Sequence, residues 1–417
     1  MAGRRYRLGA QALLRDHLIL ARFPFFRMAD LHRFAFPTPI LFGAGARKEI
    51  AKHLREAGRT RPLVVTDRGL AALPLFADFL RDLDGVAHAV FAGVSGNPVR
   101  AQVVAGVNAY RAHEADGIIG IGGGAALDVA KAIAVMAGHD GDILEYAWDH
   151  PNVRPITASL PHFVAVPTTA GTGSEVGRSA VIGDDVTHVK KIVFSPALLA
   201  KAVFADPELT LALPPSITAA TGMDALTHNV ESYLSPEWHP MCDGIALEGV
   251  RIAARALPVA VANGLDLAAR ADMLMASMMG AIAFQKDLGA VHSCAHALST
   301  VADLHHGLAN GIMIDHVMRF NLPAATKKLA ELARVASVPG GDSGSDEARA
   351  NAFVAWLSTL KRDIGIPARL SEYDGTHSVT AGDIPRLVEI ATADSCHKTN
   401  PRPCSAGDFR RLFAAAM

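Results

Sequence analysis

The chain has 417 residues, of which half are apolar and 19% are charged, with 36 glycines and 23 prolines. A chain of this length can bury two or three cores of ordinary domain size, and the composition is typical of a compact α/β protein. Lys and Arg total 40 against 41 Asp and Glu. Because there is no excess of positive charge, neither nucleic acid nor an anionic membrane surface is an expected partner.

The four cysteines form no Cys-x-x-Cys pair and are too few for a disulfide framework in a chain of this length. No apolar run reaches the roughly 20 uninterrupted residues that a membrane span needs. We therefore expect a cytoplasmic protein with no membrane partner. Residues 1–27 hold six arginines against one acid, Asp16. We interpret them as an extension that is disordered or not native.

Between about residues 39 and 210, short apolar runs alternate with helical patterns. The runs are PLVVTD at 62–67, HAVFAG at 88–93, GIIGIG at 117–122 and HFVAVP at 162–167. Strands that are apolar nearly throughout and separated by helices predict a parallel sheet covered on both faces. We expect a nucleotide-binding α/β domain over residues 28–211.

Two loops that follow apolar strands are suited to a nucleotide. The run GIGGGAALDVAK at 120–131 opens a helix, and its glycines allow a pyrophosphate to approach the free N–H groups there. The loop PTTAGTGSE at 167–175 offers hydroxyls and bare backbone. Asp67 ends another strand and has the place of an acid that binds a ribose hydroxyl and repels a 2′-phosphate, which favours NAD over NADP. A helix cap is the alternative role for Asp67.

After about residue 211 the pattern is helical almost to the end, and we expect an all-α domain over residues 212–417. Four of its side chains predict a divalent metal site. Asp224 and His228 are four residues apart and share one helix face, and His292 and His306 can close the shell. A metal there would be a Lewis acid for an alcohol or carbonyl oxygen. Unrelated structural histidines are the alternative. The stretch PGGDSGSDEARAN at 339–351 is interpreted as a surface loop.

Together, GIGGGAALDVAK, VPTTAGTGSEV, ATGMDALTHNVESY, GAVHSCAHALS and HHGLANGIMIDHVMRFN resemble the motifs of the iron-containing alcohol dehydrogenase family, with similarity over about residues 36–416. The resemblance implies a Rossmann-like parallel sheet of the dehydroquinate synthase type, followed by the all-α domain. It implies Fe²⁺ held by Asp224, His228, His292 and His306, although Zn²⁺ binds such ligands more tightly by the general affinity order. His296 falls where the family has a further histidine near the substrate. Cofactor contacts are implied for Asp67, Asn97, Gly123, Gly124, Thr168, Thr169, Thr172, Lys190 and Leu209.

The implied activity is hydride transfer between a primary alcohol or hydroxy acid and NAD(H), with His296 as the proton relay. Segments such as CDGIALEG and DSCHKTNP are most similar to the 4-hydroxybutyrate dehydrogenase branch. If the substrate is a carboxylate, Arg178 or His397 is a candidate to hold it, and an exposed arginine without a partner is the alternative. A metal- and NAD-dependent cyclase or lyase of the same fold and an inactive nucleotide-binding homologue are the alternatives. We expect a small alcohol or aldehyde as substrate and a homodimer or larger homo-oligomer.

Overall fold

The structure is a computed structural model that describes residues 38–157, 160–186, 189–373 and 378–417. The predicted extension, residues 1–27, lies outside the described residues. The strands are β1 (Ile40–Phe42), β2 (Pro62–Asp67), β3 (Ala89–Val94), β4 (Gly117–Gly122), β5 (His162–Pro167), β6 (Ser179–Gly183), β7 (Lys190–Phe194) and β8 (Ala202–Ala205). The helices among them are α1 (Ile50–Glu56), α2 (Arg68–Ala71), α3 (Pro74–Asp82), α4 (Arg100–Ala112) and α5 (Gly124–Gly138).

Six of these strands form one parallel sheet in the order β1-β8-β5-β4-β2-β3. All six residues of β4 are buried. Their side chains alternate between the two faces, as a strand requires. Ile118 enters the core that includes α5 and the helical half, whereas Ile119 packs with residues of α1 and α3. The predicted parallel sheet with both faces covered is confirmed.

The sheet brings the two predicted nucleotide loops together. Gly122 at the end of β4 pairs with Pro167 at the end of β5. The glycine run and the Thr168–Thr172 loop therefore leave the carboxyl edge of the sheet side by side, which is where open α/β sheets bind nucleotides. Strands β6 and β7 form a separate antiparallel hairpin that the sequence analysis did not predict.

The helical half consists of long helices that begin with α6. The helices are α6 (Pro215–Leu234), α7 (Pro240–Ala262), α8 (Leu267–Ala283), α9 (Ala290–Ala302), α10 (His306–Val335), α11 (Asp346–Asp363), α12 (Ile384–Ala393) and α13 (Ala406–Ala416). The predicted domain boundary at 211/212 falls in the segment between β8 and α6, and it stays a prediction. The predicted loop at 339–351 is wrong for its second half. Ser345 caps α11 there, and Asp346 and Glu347 in the first turn favour the helix N-terminus.

One segment within the described residues, Leu267–Lys286, is long and apolar enough to cross a membrane by length and composition alone. Of this segment, 56% is buried inside the fold. It includes α8, which packs against α6 and α7. These contacts are those of a core helix.

Candidate active site

Helix α6 carries two of the predicted metal ligands on one face. It begins at Pro215, whose fixed φ suits a first helical position. Asp224 and His228 lie in its middle, and each is only 3% exposed. Asp224 Oδ1 and His228 Nε2 are 3.9 Å apart. The i,i+4 spacing thus brings an oxygen and a nitrogen ligand to one point.

Two other helices bring the remaining ligands to the same oxygen. His292 lies in the first turn of α9, and its Nε2 is 3.7 Å from Asp224 Oδ1. His306 begins α10, and its Nε2 is 3.5 Å from that oxygen. Helix α10 can approach this closely because Gly307 lies against α6, where a Cβ would overlap the carbonyl oxygen of Ala220.

The arrangement fits a divalent transition metal. A tetrahedral ion with bonds of about 2.1 Å would hold its ligands about 3.4 Å apart. Three imidazole nitrogens at 3.5–3.9 Å from one carboxylate oxygen are close to that spacing. The ligand atoms of Asp224, His292 and His306 also lie within 4.8 Å of one another. The structure thus brings together the four residues that the sequence predicted as ligands.

The protonation states of the cluster suit metal binding at three of the four ligands. Burial alone would raise the pKa of Asp224, but the three histidines hold it well below its ordinary value. Burial lowers the pKa of His228 to about 4 and that of His306 well below 6.5, so both rings are neutral near pH 7. For His292, burial is outweighed by the neighbouring carboxylates of Asp224 and Glu231, which raise its pKa to about 9. A metal must therefore displace a proton from His292.

Glu231 orients His292, and the sequence analysis missed this residue. Its Oε2 accepts a hydrogen bond from His292 Nδ1 at 2.6 Å, which directs the Nε2 lone pair toward Asp224. Its Oε1 accepts from the Val291 N–H at 2.7 Å, in the first turn of α9. Glu231 stands seven residues after Asp224, on the same face of α6. That spacing was a signal that could have identified it.

Asn310, also missed, lies one turn after His306 on α10 and is fully buried. Its Nδ2 donates to Asp224 Oδ1 at 2.7 Å and lies 3.2–3.3 Å from Nε2 of His306 and of His292. This amide nitrogen therefore contacts the ligand atoms themselves, and it is a hydrogen-bond donor to the Asp224 carboxylate. Its i+4 spacing from His306 was the available signal.

His296 forms a hydrogen-bonded pair with Asp394 beside the cluster. Its Nδ1 is 2.8 Å from Asp394 Oδ2, and its ring stacks on that of His306 with centroids 5.2 Å apart. Burial would raise the pKa of Asp394, but His296 and the Ser293 hydroxyl hold it well below its ordinary value. The ionised carboxylate therefore accepts a hydrogen bond from Nδ1–H, and Nε2 is the acceptor nitrogen of the ring. The sequence analysis missed Asp394.

The predicted nucleotide loops are in contact with each other. The amide of Thr168 donates to the carbonyl of Gly122 at 3.0 Å. Added Cβ atoms would lie 3.2 Å from Thr169 Oγ1 at Gly123 and 2.8 Å from Thr172 Oγ1 at Gly124. The glycines thus give the threonine hydroxyls access to the N-terminus of α5, which is suited to an anionic pyrophosphate.

Three further predicted cofactor residues are Asp67, Asn97 and Lys190. Asp67 is the N-cap of α2, because its Oδ1 accepts from the Leu70 amide at 2.8 Å, while its Oδ2 faces Gly122. Asn97 Nδ2 donates to Asp303 Oδ1 at 2.7 Å, which links the α/β half to the end of α9. Burial lowers the pKa of Lys190 to about 8 against the opposing effect of Asp303 and Asp224. The alternative role of Asp67 as a helix cap is therefore confirmed. The cap uses only Oδ1, and a contact between Oδ2 and a ribose hydroxyl stays a prediction.

Leu209 differs from the other predicted cofactor residues. It is 2% exposed and belongs to the core that packs under Ile119 and Val166. A side chain buried in this way contributes to the core, and a cofactor contact for Leu209 stays a prediction.

Comparison with known protein families gives a match for each half of the chain. Residues 37–207 match the family described as iron-containing alcohol dehydrogenase, and residues 218–417 match the C-terminal part of the Fe-containing alcohol dehydrogenase family. This chain belongs to the iron-containing alcohol dehydrogenase family. It is therefore an oxidoreductase, and the metal cluster and the nucleotide loops described above lie within the two matched regions.

Relatives in the iron-containing alcohol dehydrogenase family cover nearly the whole chain. The 4-hydroxybutyrate dehydrogenase of Cupriavidus necator is 38% identical over 91% of this chain and 98% of its own length. The 1,3-propanediol dehydrogenase of Klebsiella pneumoniae is 36% identical over 94% of this chain and 100% of its own length. Because two relatives with different named substrates are similar to nearly the same degree, the 4-hydroxybutyrate branch is no better supported than the general dehydrogenase.

Solved structures of the family confirm the fold. The structure of 1,3-propanediol oxidoreductase has a TM-score of 0.88 and 35% identity, and covers 93% of this chain and 100% of that chain. A sulfoacetaldehyde reductase from Bifidobacterium kashiwanohense in complex with NAD⁺ has a TM-score of 0.82 and 29% identity, with coverage of 93% and 99%. The relatives named here are dehydrogenases or reductases. They give no support to the cyclase, lyase or inactive alternatives.

Two residues considered for a substrate carboxylate have other contacts. Arg178 stacks over the Phe194 ring at 5.4 Å and has no ion pair within the described part of the chain. His397 Nε2 is 3.2 Å from the carbonyl oxygen of Thr392, and the His397 backbone amide donates to Ser293 Oγ at 2.9 Å, one residue after His292. A role in substrate binding stays a prediction for both.

Proposed function

We propose that this chain transfers hydride between a primary alcohol or hydroxy acid and NAD(H), or from NADH to an aldehyde in reverse, at a metal held by Asp224, His228, His292 and His306. The observation that carries the proposal is the convergence of three imidazole nitrogens on Asp224 Oδ1. The cofactor loop lies against the same helix, because a Cβ at Gly171 would be 2.9 Å from Thr221 Cβ, three residues before Asp224. Metal ligands and cofactor loop are therefore neighbours.

The family supports Fe²⁺ as the resident ion, and the donor set also suits Zn²⁺. When bound, such an ion supplies Lewis acidity that lowers the pKa of the alcohol. Glu231 and Asn310 fix the orientation of the ligand side chains. His296 takes the alcohol proton at Nε2, because Asp394 holds Nδ1 and the stacked His306 ring keeps His296 beside the ligands.

NAD(H) is the proposed cofactor. The N-terminus of α5 would bind the pyrophosphate, and Asp67 favours NAD over NADP because a carboxylate repels a 2′-phosphate. The proposed contact residues are Asp67, Asn97, Gly123, Gly124, Thr168, Thr169, Thr172, Lys190 and Leu209.

We further propose a cytoplasmic homodimer or larger homo-oligomer. All four cysteines are free, as is usual in a reducing compartment. Apolar side chains are exposed around the β6–β7 hairpin, including Val186 at 85%, Trp148 at 52% and Phe194 at 50%. Exposed apolar surface of this kind supports self-association.

The test is an assay of the purified protein with NAD⁺, Fe²⁺ or Zn²⁺, and a panel of primary alcohols and ω-hydroxy acids, followed by the absorbance of NADH. We expect metal-dependent NADH formation with at least one alcohol. A signal with 4-hydroxybutyrate well above that with simple alcohols would assign the branch. No turnover with any substrate would contradict the proposal.

A further inference from the structure

A buried charged network on α5 lies outside the metal cluster. Lys131 is fully buried, and Asp128, three residues earlier, is 6% exposed. Burial raises the pKa of the Asp128 carboxyl and lowers that of the Lys131 ammonium, so the fold disfavours both charges. A buried ion pair of this kind is weak evidence for a contribution to the stability of the fold. A role that explains it is to hold neighbouring segments in a fixed geometry.

The hydrogen bonds of the network converge on Ser174. Lys131 Nζ donates to the Ser174 carbonyl at 2.6 Å, to Ser174 Oγ at 2.9 Å and to the Ser179 carbonyl at 2.8 Å. Ser174 Oγ donates in turn to Asp128 Oδ1 at 2.6 Å, and Asp128 Oδ2 accepts from the Val181 amide at 3.0 Å. The Ser174 hydroxyl is therefore shared by the two charged groups.

The three connected segments all carry proposed cofactor residues. Helix α5 begins at the glycines, and Ser174 follows Thr172 by two residues. Strand β6, which holds Val181, pairs with β7 so that Gly183 faces Lys190. The Asp128 and Lys131 side chains thus fix the positions of the threonine loop and the β6–β7 hairpin relative to the N-terminus of α5.

We infer that Asp128, Lys131 and Ser174 are positioning residues for the nicotinamide cofactor, which hold Thr172 and the Lys190 hairpin in register with the N-terminus of α5. The inference rests on the proposed NAD(H) role of those segments. It adds a function for the Asp-x-x-Lys part of GIGGGAALDVAK, whose side chains hydrogen-bond to neither the metal ligands nor the glycines of the motif within the described residues.

The test compares Ser174→Ala with Ser277→Ala. Ser277 is an equally buried serine whose Oγ has no hydrogen-bond partner among the described residues. We expect Ser174→Ala to raise the KM for NAD⁺ at least about tenfold, because small displacements of binding groups have large effects. Metal content and the KM for the alcohol should stay near the parent values. Ser277→Ala should leave all three unchanged.

A second variant, Asp128→Asn/Lys131→Met, removes both charges of the pair together, so that neither is left buried without the other. We expect a melting temperature near that of the parent and the same rise in the KM for NAD⁺. An unchanged KM for NAD⁺ in both variants of an active parent would overturn the inference, as would a lower melting temperature with an unchanged KM. A parent that neither binds NADH nor turns over would refute the proposed function, and the inference would fail with it.

Discussion

The Glu231 carboxylate and the His292 ring meet at 2.6 Å across 61 residues of sequence. We expect Glu231→Gln to weaken metal binding by about 10–100-fold, since groups that orient a ligand histidine typically contribute that much. Competition with a chelator measures the affinity. Glu237→Gln, at an exposed position, is the matched control. Equal affinities in the two variants would contradict the orienting role.

His292→Ala should remove the bound metal and the turnover, because it deletes one of three imidazoles around Asp224. NADH binding should change little, since the nucleotide loops belong to the other half of the chain. Elemental analysis and NADH fluorescence titration check the two expectations separately. Full turnover in this variant would show that the ligand assignment is wrong.

Gly124→Ala should impair cofactor binding, because the new Cβ would lie 2.8 Å from Thr172 Oγ1 and 3.2 Å from Thr172 Cβ. We expect the KM for NAD⁺ to rise by about tenfold or more with the metal content unchanged. Gly244→Ala is the control, since a Cβ at that helical glycine meets nothing within 4 Å. The same KM in both variants would argue against a close approach of cofactor and helix.

Asp394→Asn should lower kcat by at least about tenfold, because an amide no longer fixes the Nδ1–H tautomer of His296. The KM for NAD⁺ and the metal content should be unaffected. Steady-state kinetics against NAD⁺ and the alcohol separate these parameters. A fall in metal content instead of kcat would assign the pair to the ligand shell.

Glu175→Gln should stabilise the protein at alkaline pH. Burial raises the pKa of Glu175 from 4.5 to about 7, and its Oε1 has no partner among the described residues. A carboxyl with a raised folded pKa destabilises the fold as the pH rises from 4.5 to 7, by up to about 3 kcal/mol. Denaturation measurements should show most of this gain in the free energy of unfolding at pH 8 and little of it at pH 5. The same difference at both pH values would contradict the assignment.

Much of the fold was predictable from the sequence, because its signals are local. Apolar runs such as GIIGIG mark strands buried on both faces, and the i,i+4 spacing of Asp224 and His228 defines one side of the metal cluster. The hairpin of β6 and β7 was missed because KKIVF is short and has no regular polar alternation. At Ser345 the error is the opposite one. The sequence predicted a loop there, and the structure has the N-cap of α11.

The supporting residues of the site could not be found in the same way. Asp394 contacts His296 across 98 residues, and that pair depends on how helices pack, which no local pattern records. Asn310 shares a helix face with His306, but its contact with Asp224 spans 86 residues and also depends on helix packing. Lys131 belongs to the motif GIGGGAALDVAK, but its hydrogen-bond partners Ser174 and Ser179 are more than 40 residues away in sequence. Only the folded threonine loop and β6 bring them to Lys131.

The hydrogen bond from Asn97 to Asp303 has a consequence for the proposed cofactor contact. It uses the amide nitrogen of Asn97, so the carbonyl oxygen of the same side chain stays able to accept a ribose hydroxyl. A nucleotide bound by that oxygen would contact a side chain that already joins the α/β half to the end of α9.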